Sequence, residues 1–239
     1  MSVPAPVPAD FPIVETFHSL QGEGLHTGRS AFFVRLAGCD VGCPWCDTKH
    51  SWPEAAHPRL AVAELARQAQ RAREQGAAFL VVTGGEPLQH DLGPLCAALA
   101  ACGLPLHLET SGAHPLSGRF DWLTLSPKRH RPPGEDLLAA CDELKVVVVE
   151  PADLAFAEAM AQRARKLRPV AGARGALTAD QGPGAAEALA TPTPASASPA
   201  LLLQPAWGEP EAQRLAIAHA QRHPQWRLSL QTHKWLGVR

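Results

Sequence analysis

Three cysteines lie close together in one short segment, Gly38-Cys39-Asp40-Val41-Gly42-Cys43-Pro44-Trp45-Cys46-Asp47-Thr48. The segment directly follows the apolar run Ala31–Leu36. We therefore expect it to form a loop at the carboxyl end of a β-strand, which is the edge of an α/β sheet where ligands bind. Because the spacing lets one loop bring several thiolates to one centre, the cysteines indicate a metal site.

The identity of that metal centre is left open by the loop alone. Iron–sulfur clusters are normally bound by four thiolates, and this loop provides three. A structural zinc site with His50 or another residue as fourth ligand is an alternative, and so is a chance grouping of thiols. A structural zinc site is closed, whereas a cluster with three protein ligands leaves one iron open. The scattered cysteines Cys96, Cys102 and Cys141 are interpreted as thiols of the core or near the surface.

Polar motifs follow further predicted strands at their carboxyl ends. They are Thr83-Gly84-Gly85-Glu86-Pro87, Glu109-Thr110-Ser111-Gly112, Ser126-Pro127-Lys128 and Gln204-Pro205. Glycines in the first motif permit a close approach of the backbone to a ligand. Each motif alone could be an ordinary turn. Their recurrence at successive strand ends predicts that they line one rim of the fold.

Short β-rich runs alternate with helical segments, which favours an α/β fold with a parallel sheet. The predicted strands are Ala31–Leu36, Phe79–Thr83, Leu106–Glu109, Trp122–Leu125, Leu144–Val149 and Leu201–Leu203, preceded by an extended stretch, Pro12–His18. The predicted helices are Leu60–Gln75, Asp91–Cys102, Ala152–Arg168 and Glu209–Arg222, with a short helix at most within Arg129–Leu138. The nearly continuous apolar strands predict a sheet covered on both faces. A partial, open (β/α)6-type barrel and a doubly wound sheet both agree with this pattern.

The composition suits one domain, residues 1–239, with a sizeable core, because 46% of the residues are hydrophobic. The formal net charge is −1, so neither a large basic surface for nucleic acid nor a polybasic membrane patch is expected. The N-terminal residues lack the pattern of a secretory signal, and a cytoplasmic protein is expected. Residues 170–199 are rich in Ala, Pro, Gly, Ser and Thr, which predicts a flexible insertion within the domain.

The Cys-x3-Cys-x2-Cys spacing with an aromatic before the last cysteine resembles the signature of radical S-adenosylmethionine (SAM) enzymes. Gly84-Gly85-Glu86-Pro87 resembles a second motif of that superfamily. Four further segments resemble the 7-carboxy-7-deazaguanine synthase family: Ser19-Leu20-Gln21-Gly22-Glu23-Gly24, Phe33-Val34-Arg35-Leu36, Cys46-Asp47-Thr48 and Gln231-Thr232-His233-Lys234-Trp235-Leu236-Gly237. The resemblance covers residues 11–149 and 201–239. It implies the partial, open (β/α)6-type barrel with parallel strands.

The same resemblance implies an activity. Such enzymes convert 6-carboxy-5,6,7,8-tetrahydropterin to 7-carboxy-7-deazaguanine with loss of ammonia, a step in the biosynthesis of 7-deazapurines such as queuosine. A [4Fe–4S] cluster cleaves SAM, and the resulting 5′-deoxyadenosyl radical takes hydrogen from C6 of the pterin before SAM is regenerated. The implied cofactors are the [4Fe–4S] cluster, SAM and Mg²⁺. The implied partners are the pterin, an electron donor such as flavodoxin or ferredoxin, and a second copy in a homodimer, with no direct contact to nucleic acid or membrane.

The resemblance also implies roles for individual residues. The cluster ligands are Cys39, Cys43 and Cys46. The residues that contact SAM are Trp45, Asp47, Gly85, Glu86, Ser126, Pro127, Lys128 and Gln204. The residues that contact the substrate are Leu20, Gln21, Gly22, Glu23, Arg35, Thr83 and, through its terminal carboxylate, Arg239. Thr48 is the implied ligand of Mg²⁺.

Two other functions compete with this interpretation. A glycyl-radical activating enzyme would use the same cluster and SAM on a protein substrate. A zinc-stabilised binding module would have no catalytic activity. The Leu20–Gly24 segment and the C-terminal Gln231–Lys234 segment argue against the first, and the iron content of the purified protein would distinguish the second.

Overall fold

The computed structural model describes residues 10–168 and 198–239, so the predicted insertion 170–199 lies almost wholly outside the described residues. The described strands are β1 (Asp10–Leu20), β2 (Ser30–Leu36), β3 (Arg59–Ala61), β4 (Phe79–Gly84), β5 (Leu106–Thr110), β6 (Trp122–Leu125), β7 (Glu143–Val148), β8 (Ala200–Pro205) and β9 (Trp226–Leu228). The described helices are α1 (Val62–Glu74), α2 (Gly93–Ala100), α3 (Glu135–Ala140), α4 (Pro151–Leu167), α5 (Pro210–Arg222) and α6 (Thr232–Leu236).

The strands form one sheet in the order β3-β1-β2-β4-β5-β6-β7-β8-β9. From β2 to β9 every neighbouring pair is parallel. At the other edge β1 pairs antiparallel with β2, and β3 pairs antiparallel with β1. All six predicted strands are therefore present, and the predicted extended stretch before them is the long strand β1.

The strand order decides between the two folds that the sequence pattern permitted. Each parallel strand is followed in the sheet by the next one along the chain, so the winding direction never reverses. A doubly wound sheet needs such a reversal, and right-handed crossovers in one direction place the helices on a single face. In the described part of the chain, the edge strands β3 and β9 do not pair with each other. The prediction of a partial, open barrel is confirmed.

The two faces of the sheet differ in chemistry. Side chains on the helix-covered face are apolar and belong to the main core, as Val34, Val82, Leu108, Leu125 and Val146 illustrate. The adjacent residues on the inner face are polar near the carboxyl ends of the strands: Arg35, Thr83, Glu109, Thr124 and Lys145. The expectation that the strands are covered on both faces is confirmed in β4, whose successive residues Phe79–Val82 are all fully buried, although the helices lie on one face. Successive side chains of a strand point to opposite faces, and here the inner face lines a cavity.

Tertiary pairing moves several predicted boundaries. Helix α1 begins at Val62 rather than Leu60, because residues 59–61 pair with β1 as the edge strand β3. The strands β3 and β9 and the helix α6 were not predicted, since each has only three to five residues and no period to detect. Helix α4 begins at Pro151, one residue before the predicted start at Ala152, with a capping box between Glu150 and Asp153. Among the described residues, no helix is long and apolar enough to cross a membrane.

The connection between β1 and β2 crosses the inner face of the sheet and forms the floor of the cavity; we call residues 21–26 the floor segment. Its backbone is fixed by two side chains, because Leu25 N donates to Glu143 Oε2 (2.9 Å) and Gly24 N donates to Ser229 Oγ (3.0 Å). Gly24 has φ 68°, and a Cβ there would lie 2.2 Å from Glu143 Oε1. A glycine is required where the chain passes this close to a buried carboxylate.

Candidate active site

A cavity of about 440 Å³ opens at the carboxyl ends of the parallel strands. It brings together most residues that the sequence pointed to: Leu20, Gln21, Gly22, Glu23, Arg35, Cys39, Cys43, Trp45, Cys46, Asp47, Thr48, Thr83, Gly85, Ser126, Lys128, Gln204 and Arg239. Glu86 and Pro127 are not among the lining residues. Residues from both ends of the chain thus meet in one site.

The cysteine loop lies at the mouth of this cavity. Its start is tied to the following 3₁₀ turn, since Cys39 N donates to Trp52 O (3.3 Å), and its end is tightened by Cys46 N donating to Cys43 O (3.2 Å). All three cysteines are free thiols, and Cys43 is buried. Burial raises the pKa of the Cys39 and Cys43 thiols. The side-chain contacts of these sulfurs are long, at 3.9 Å from Cys43 Sγ to His130 Nε2 and 3.5 Å from Cys46 Sγ to Thr48 Oγ1. Soft ligands held this weakly by the protein suit a metal centre that binds them as thiolates.

The separation of the three sulfurs favours a cluster over a single zinc ion. Three thiolates on one zinc ion lie about 3.8 Å apart, because each Zn–S bond is about 2.3 Å long. Among the described residues, the one group of three potential ligands within 4.8 Å of one another contains none of these cysteines. At least one pair of the three sulfurs therefore lies more than 4.8 Å apart, farther than one zinc ion allows, whereas in an iron–sulfur cluster each thiolate binds a different iron.

The Gly84-Gly85-Glu86-Pro87 motif packs against the start of the cysteine loop. A Cβ on Gly85 would lie 2.3 Å from Gly38 O and 2.8 Å from Cys39 Cβ. The glycine therefore lets the end of β4 pack directly against the start of the cysteine loop. Gly85 N also donates to Leu36 O (3.0 Å), which fixes the two strand ends together.

Replacing Gly85 with alanine is expected to displace the cysteine loop, because the added methyl meets backbone rather than a flexible side chain. Overpacking of this kind typically costs about 1–3 kcal/mol. We expect reduced iron incorporation, measured as iron per chain after anaerobic reconstitution. Gly93→Ala is the matched control, since its nearest contact is the Asp91 carboxylate at 3.2 Å. Equal iron content in both variants would contradict this account.

Glu86 lies beneath the cavity rather than in its wall and is 1% exposed. Its carboxylate accepts hydrogen bonds from Thr110 Oγ1 (2.5 Å), Ser111 N (2.8 Å) and Leu88 N (3.0 Å), and also from Ser111 Oγ. These bonds join the ends of β4 and β5 and hold Thr110 and Ser111 in the cavity wall. The expected contact of Glu86 with SAM stays a prediction.

The floor segment contains the half-buried carboxylate of Glu23, and the half-buried Glu109, the buried Glu143 and the buried Lys145 lie around it. Lys145 is 4% exposed and pairs with Glu23, whose other oxygen accepts from Gln231 Nε2 (2.9 Å). Burial opposes the charge of Glu23, but the Lys145 ammonium outweighs it and lowers the pKa of Glu23 to about 2. Burial likewise opposes the charge of Lys145, and the facing carboxylates Glu23, Glu109 and Glu143 raise its pKa overall. The pair is therefore ionised at neutral pH.

Glu109 completes the floor on the β5 side. Its two oxygens accept from Gln21 Nε2 (2.9 Å) and from Thr83 Oγ1 (3.1 Å). Lys145 and Glu109 were not assigned roles from the sequence, although Glu109 stood in a strand-end motif. A lysine inside the otherwise apolar strand 144–148 was the available signal, because a charged residue on a buried strand needs a partner.

Two arginines share one carboxylate at the side of the cavity. Arg35 Nε donates to Glu15 Oε1 (3.0 Å), and Arg239 NH1 donates to Glu15 Oε2 (2.7 Å). Ser19 Oγ donates to the main-chain oxygen of Arg239 (2.5 Å), which holds the C-terminus against β1. Since Arg35 uses Nε for its contact with Glu15, its two terminal nitrogens can still face an anion in the cavity.

The opposite wall combines Lys128, Trp45 and Asp47. Lys128 Nζ donates to Ser126 O (2.6 Å) and Ser126 Oγ (2.8 Å), and it lies 5.5 Å from the centre of the Trp45 ring. Burial lowers the pKa of Lys128. Asp47 pairs with Lys234 of α6, so the C-terminal segment closes over this wall.

Comparisons with known proteins agree with this geometry. Residues 34–147 match the model of the Radical SAM superfamily. The chain is 51% identical over 234 residues to a 7-carboxy-7-deazaguanine synthase of Prochlorococcus marinus, covering 95% of this chain and 97% of that one. It is 34% identical to the enzyme of the same name from Escherichia coli, covering 95% and 99% of the two chains. These relatives disfavour the glycyl-radical and zinc-module alternatives.

A solved structure supports the same assignment. The crystal structure of QueE from Escherichia coli superposes with a TM-score of 0.68 at 31% identity, covering 92% of this chain and 93% of that one. Together with the sequence relatives and the three-cysteine loop in the cavity, it places this chain in the 7-carboxy-7-deazaguanine synthase family of radical SAM enzymes.

Proposed function

We propose that this protein is a radical SAM lyase that converts 6-carboxy-5,6,7,8-tetrahydropterin to 7-carboxy-7-deazaguanine with loss of ammonia, in 7-deazapurine (queuosine) biosynthesis. One observation carries the proposal. The three cysteines of residues 39–46 share a cavity with a partly free arginine and with a floor of hydrogen-bonding carboxylates and amides. Such a cavity can hold a small anionic heterocycle next to a metal centre.

The cofactor side of the cavity is built from the cysteine loop and the strand ends around it. Cys39, Cys43 and Cys46 would bind the cluster. Trp45, Asp47, Gly85, Glu86, Ser126, Pro127, Lys128 and Gln204 would position SAM. When bound, the [4Fe–4S] cluster and SAM supply a 5′-deoxyadenosyl radical that removes hydrogen from C6 of the pterin. Gln204 Oε1 accepts a hydrogen bond from Ser229 Oγ (2.9 Å), so its amide nitrogen would be the group that contacts SAM.

Thr48 would provide an oxygen ligand for Mg²⁺ at the boundary between the two halves of the cavity. It lines the cavity, and its Oγ1 lies 3.5 Å from Cys46 Sγ. Magnesium keeps several waters and takes further oxygens from substrate, so one protein hydroxyl suffices when the substrate carries a carboxylate.

The substrate side is formed by the floor segment and β2. Arg35 would pair with the pterin carboxylate through its free terminal nitrogens, because the guanidinium fork matches a carboxylate. Leu20, Gln21, Gly22, Glu23 and Thr83 would bind the ring, with the ionised carboxylate of Glu23 accepting from its N–H edge. The C-terminal carboxylate of Arg239 would close the site from the side.

Replacing Arg35 with glutamine is expected to lower catalytic efficiency with the pterin more than it lowers the stability of the fold. A hydrogen bond to a charged partner is worth about 1.5–3 kcal/mol, so kcat/KM should fall roughly 10- to 100-fold. Glu15→Gln is the matched control. It removes two partly exposed ion pairs of small value, with Arg35 and with Arg239, while keeping both arginines. Equal losses of kcat/KM in both variants would assign Arg35 to the ion pair instead of the substrate.

The activity is tested directly on the anaerobically reconstituted protein. SAM, Mg²⁺, a reductant and 6-carboxytetrahydropterin are added, and mass spectrometry follows 7-carboxy-7-deazaguanine. The deazapurine is the expected product. Formation of 5′-deoxyadenosine without the deazapurine would keep the radical chemistry and reject the substrate. Absence of both, with zinc in place of iron, would reject the proposed function.

The proposed function also implies an oligomeric state, an electron donor and a metal ion. We propose a cytoplasmic homodimer that receives electrons from a flavodoxin or a ferredoxin, and we propose Mg²⁺ as an activator. Sedimentation of the holoenzyme tests the dimer. Turnover with each reduced donor, with and without Mg²⁺, tests the other two.

A further inference from the structure

A second group of metal-binding side chains lies outside the cavity, between helices α4 and α5. It consists of Glu158, His219 and His223, which we call the histidine cluster. Their ligand atoms lie within 4.8 Å of one another. None of the three lines the active-site cavity. The proposed reaction therefore gives no role to this group.

The local geometry comes from helix periodicity. His219 and His223 are four residues apart, at the carboxyl end of α5, so they lie on one face of the helix. Their rings are stacked, with centroids 4.1 Å apart and an interplanar angle of 21°. Two imidazoles one helical turn apart are a common arrangement for chelating one metal ion.

The third potential ligand is Glu158, which belongs to the neighbouring helix α4. Glu158 Oε1 lies 2.9 Å from His219 Nε2. The same oxygen accepts from Trp226 Nε1 (2.7 Å), which holds the carboxylate in place. Outer partners of this kind orient the ligands in metal sites. In residues 10–168 and 198–239, the other oxygen of Glu158 has no hydrogen-bond partner.

We propose that Glu158, His219 and His223 bind a divalent transition-metal ion, with Zn²⁺ as the representative ion. Two imidazoles and one carboxylate favour zinc, cobalt or nickel over magnesium and calcium, which prefer oxygen ligands alone. Two ligand atoms bound to zinc at about 2.0–2.2 Å lie roughly 3.0–3.5 Å apart. The distance between Glu158 and His219 is already close to that range.

His223 would have to move closer to the other two ligands, and its position allows this movement. It is only partly buried and lies just past the end of α5, where the backbone leaves the helix. Within the described part of the chain, its ring makes no hydrogen bond, and it stacks on the ring of His219. His219 is 7% exposed, so the ion would enter from the His223 side.

A metal at this position would clamp α4 to α5. These helices are consecutive in the described fold but are joined by a long stretch of chain, from Leu167 to Pro210. A cross-link that closes a long connection removes conformational freedom from the unfolded chain and stabilises the fold. The site would therefore act on stability and leave the radical chemistry to the cavity.

The test uses the cluster-loaded holoenzyme, so that the iron–sulfur cluster occupies the three cysteines of the loop. Zn²⁺ is titrated anaerobically against a chromophoric chelator, with the absorption of the cluster recorded throughout. The variants are His223→Asn and Glu158→Gln, because both preserve shape and leave the Trp226 indole an oxygen to bind. His18→Asn is the matched control, since His18 is an exposed histidine on β1.

The expected result is about one zinc per chain beyond the cluster, with affinity reduced at least about tenfold in both variants, since even outer-shell changes cost 10- to 100-fold. The control should bind like the original chain. Zinc should also raise the melting temperature of the original chain and the control but not of the variants. Absence of zinc binding at micromolar concentrations, or unchanged affinity in either variant, would overturn the three-ligand site. Neither outcome depends on turnover of the pterin.

Discussion

Replacing Cys43 with alanine is expected to abolish turnover. The loop provides three thiolates, and Cys43 is the most buried of them. A cluster with two protein ligands has a second exposed iron and no buried thiolate to anchor it. We expect iron and sulfide per chain to fall to background after reconstitution, and neither 5′-deoxyadenosine nor 7-carboxy-7-deazaguanine to form.

The matched control for this variant is Cys102→Ala. Cys102 is also buried, at 3% exposed, but it follows α2 in the core and does not line the cavity. Its replacement removes a similar thiol, so any loss of stability should be comparable while the cluster and the turnover are retained. A Cys43→Ala protein that still binds a full cluster and turns over normally would contradict the assignment of the loop.

Replacing Lys145 with methionine is expected to destabilise the protein by about 3–5 kcal/mol, the usual cost of leaving a buried charge without its partner. Lys145 is 4% exposed and pairs with Glu23 in the floor segment. Methionine keeps much of the length of the side chain while removing the charge. Urea unfolding monitored by circular dichroism measures the free energy of unfolding.

The double variant Lys145→Met with Glu23→Gln distinguishes the destabilisation caused by the unpaired charge from the destabilisation caused by altered packing. Removing both charges removes the unpaired carboxylate, so we expect the double variant to be more stable than Lys145→Met alone. Arg67→Met is the surface control. Its pair with Glu64 is exposed, and such pairs contribute at most about 1 kcal/mol. If Lys145→Met and Arg67→Met lower the free energy of unfolding by the same amount, the buried ion pair would contribute no more to stability than an exposed one.

The pH dependence of this pair follows from the two shifts. The pKa of Glu23 is about 2 in the folded protein, below its usual value. Its contribution to the free energy of unfolding is therefore fully present above the pKa that Glu23 has in the unfolded chain, and it is lost as the pH falls toward 2. The pKa of Lys145 is raised, so its contribution is lost only at strongly alkaline pH. The difference in stability between the original chain and Lys145→Met should thus be constant around neutral pH and shrink in acid.

Local sequence patterns were sufficient to locate the metal loop and the set of parallel strands. The spacing of Cys39, Cys43 and Cys46 is local, and local spacing is sufficient to show that one loop can gather three thiolates. Apolar runs such as 79–83 and 144–149 predicted strands that the structure confirms within about one residue. Because parallel strands end at one edge, the polar motifs after them were correctly expected to share a rim.

The residues that line the inner face of the sheet could not be predicted from local patterns, because they depend on how the strands come together in three dimensions. Winding direction depends on which strands become neighbours, and no periodic pattern encodes that choice. The floor segment, the pair of Lys145 with Glu23 and the shared carboxylate of Glu15 join residues more than a hundred positions apart, or opposite ends of the chain. Glu86 belonged to a recognisable motif, yet its carboxylate is engaged by hydrogen bonds to Thr110 and Ser111, and Glu86 itself does not line the cavity. Partners of buried charges are chosen by packing in three dimensions, which is why the spacing along the chain located the metal loop but not the floor beneath it.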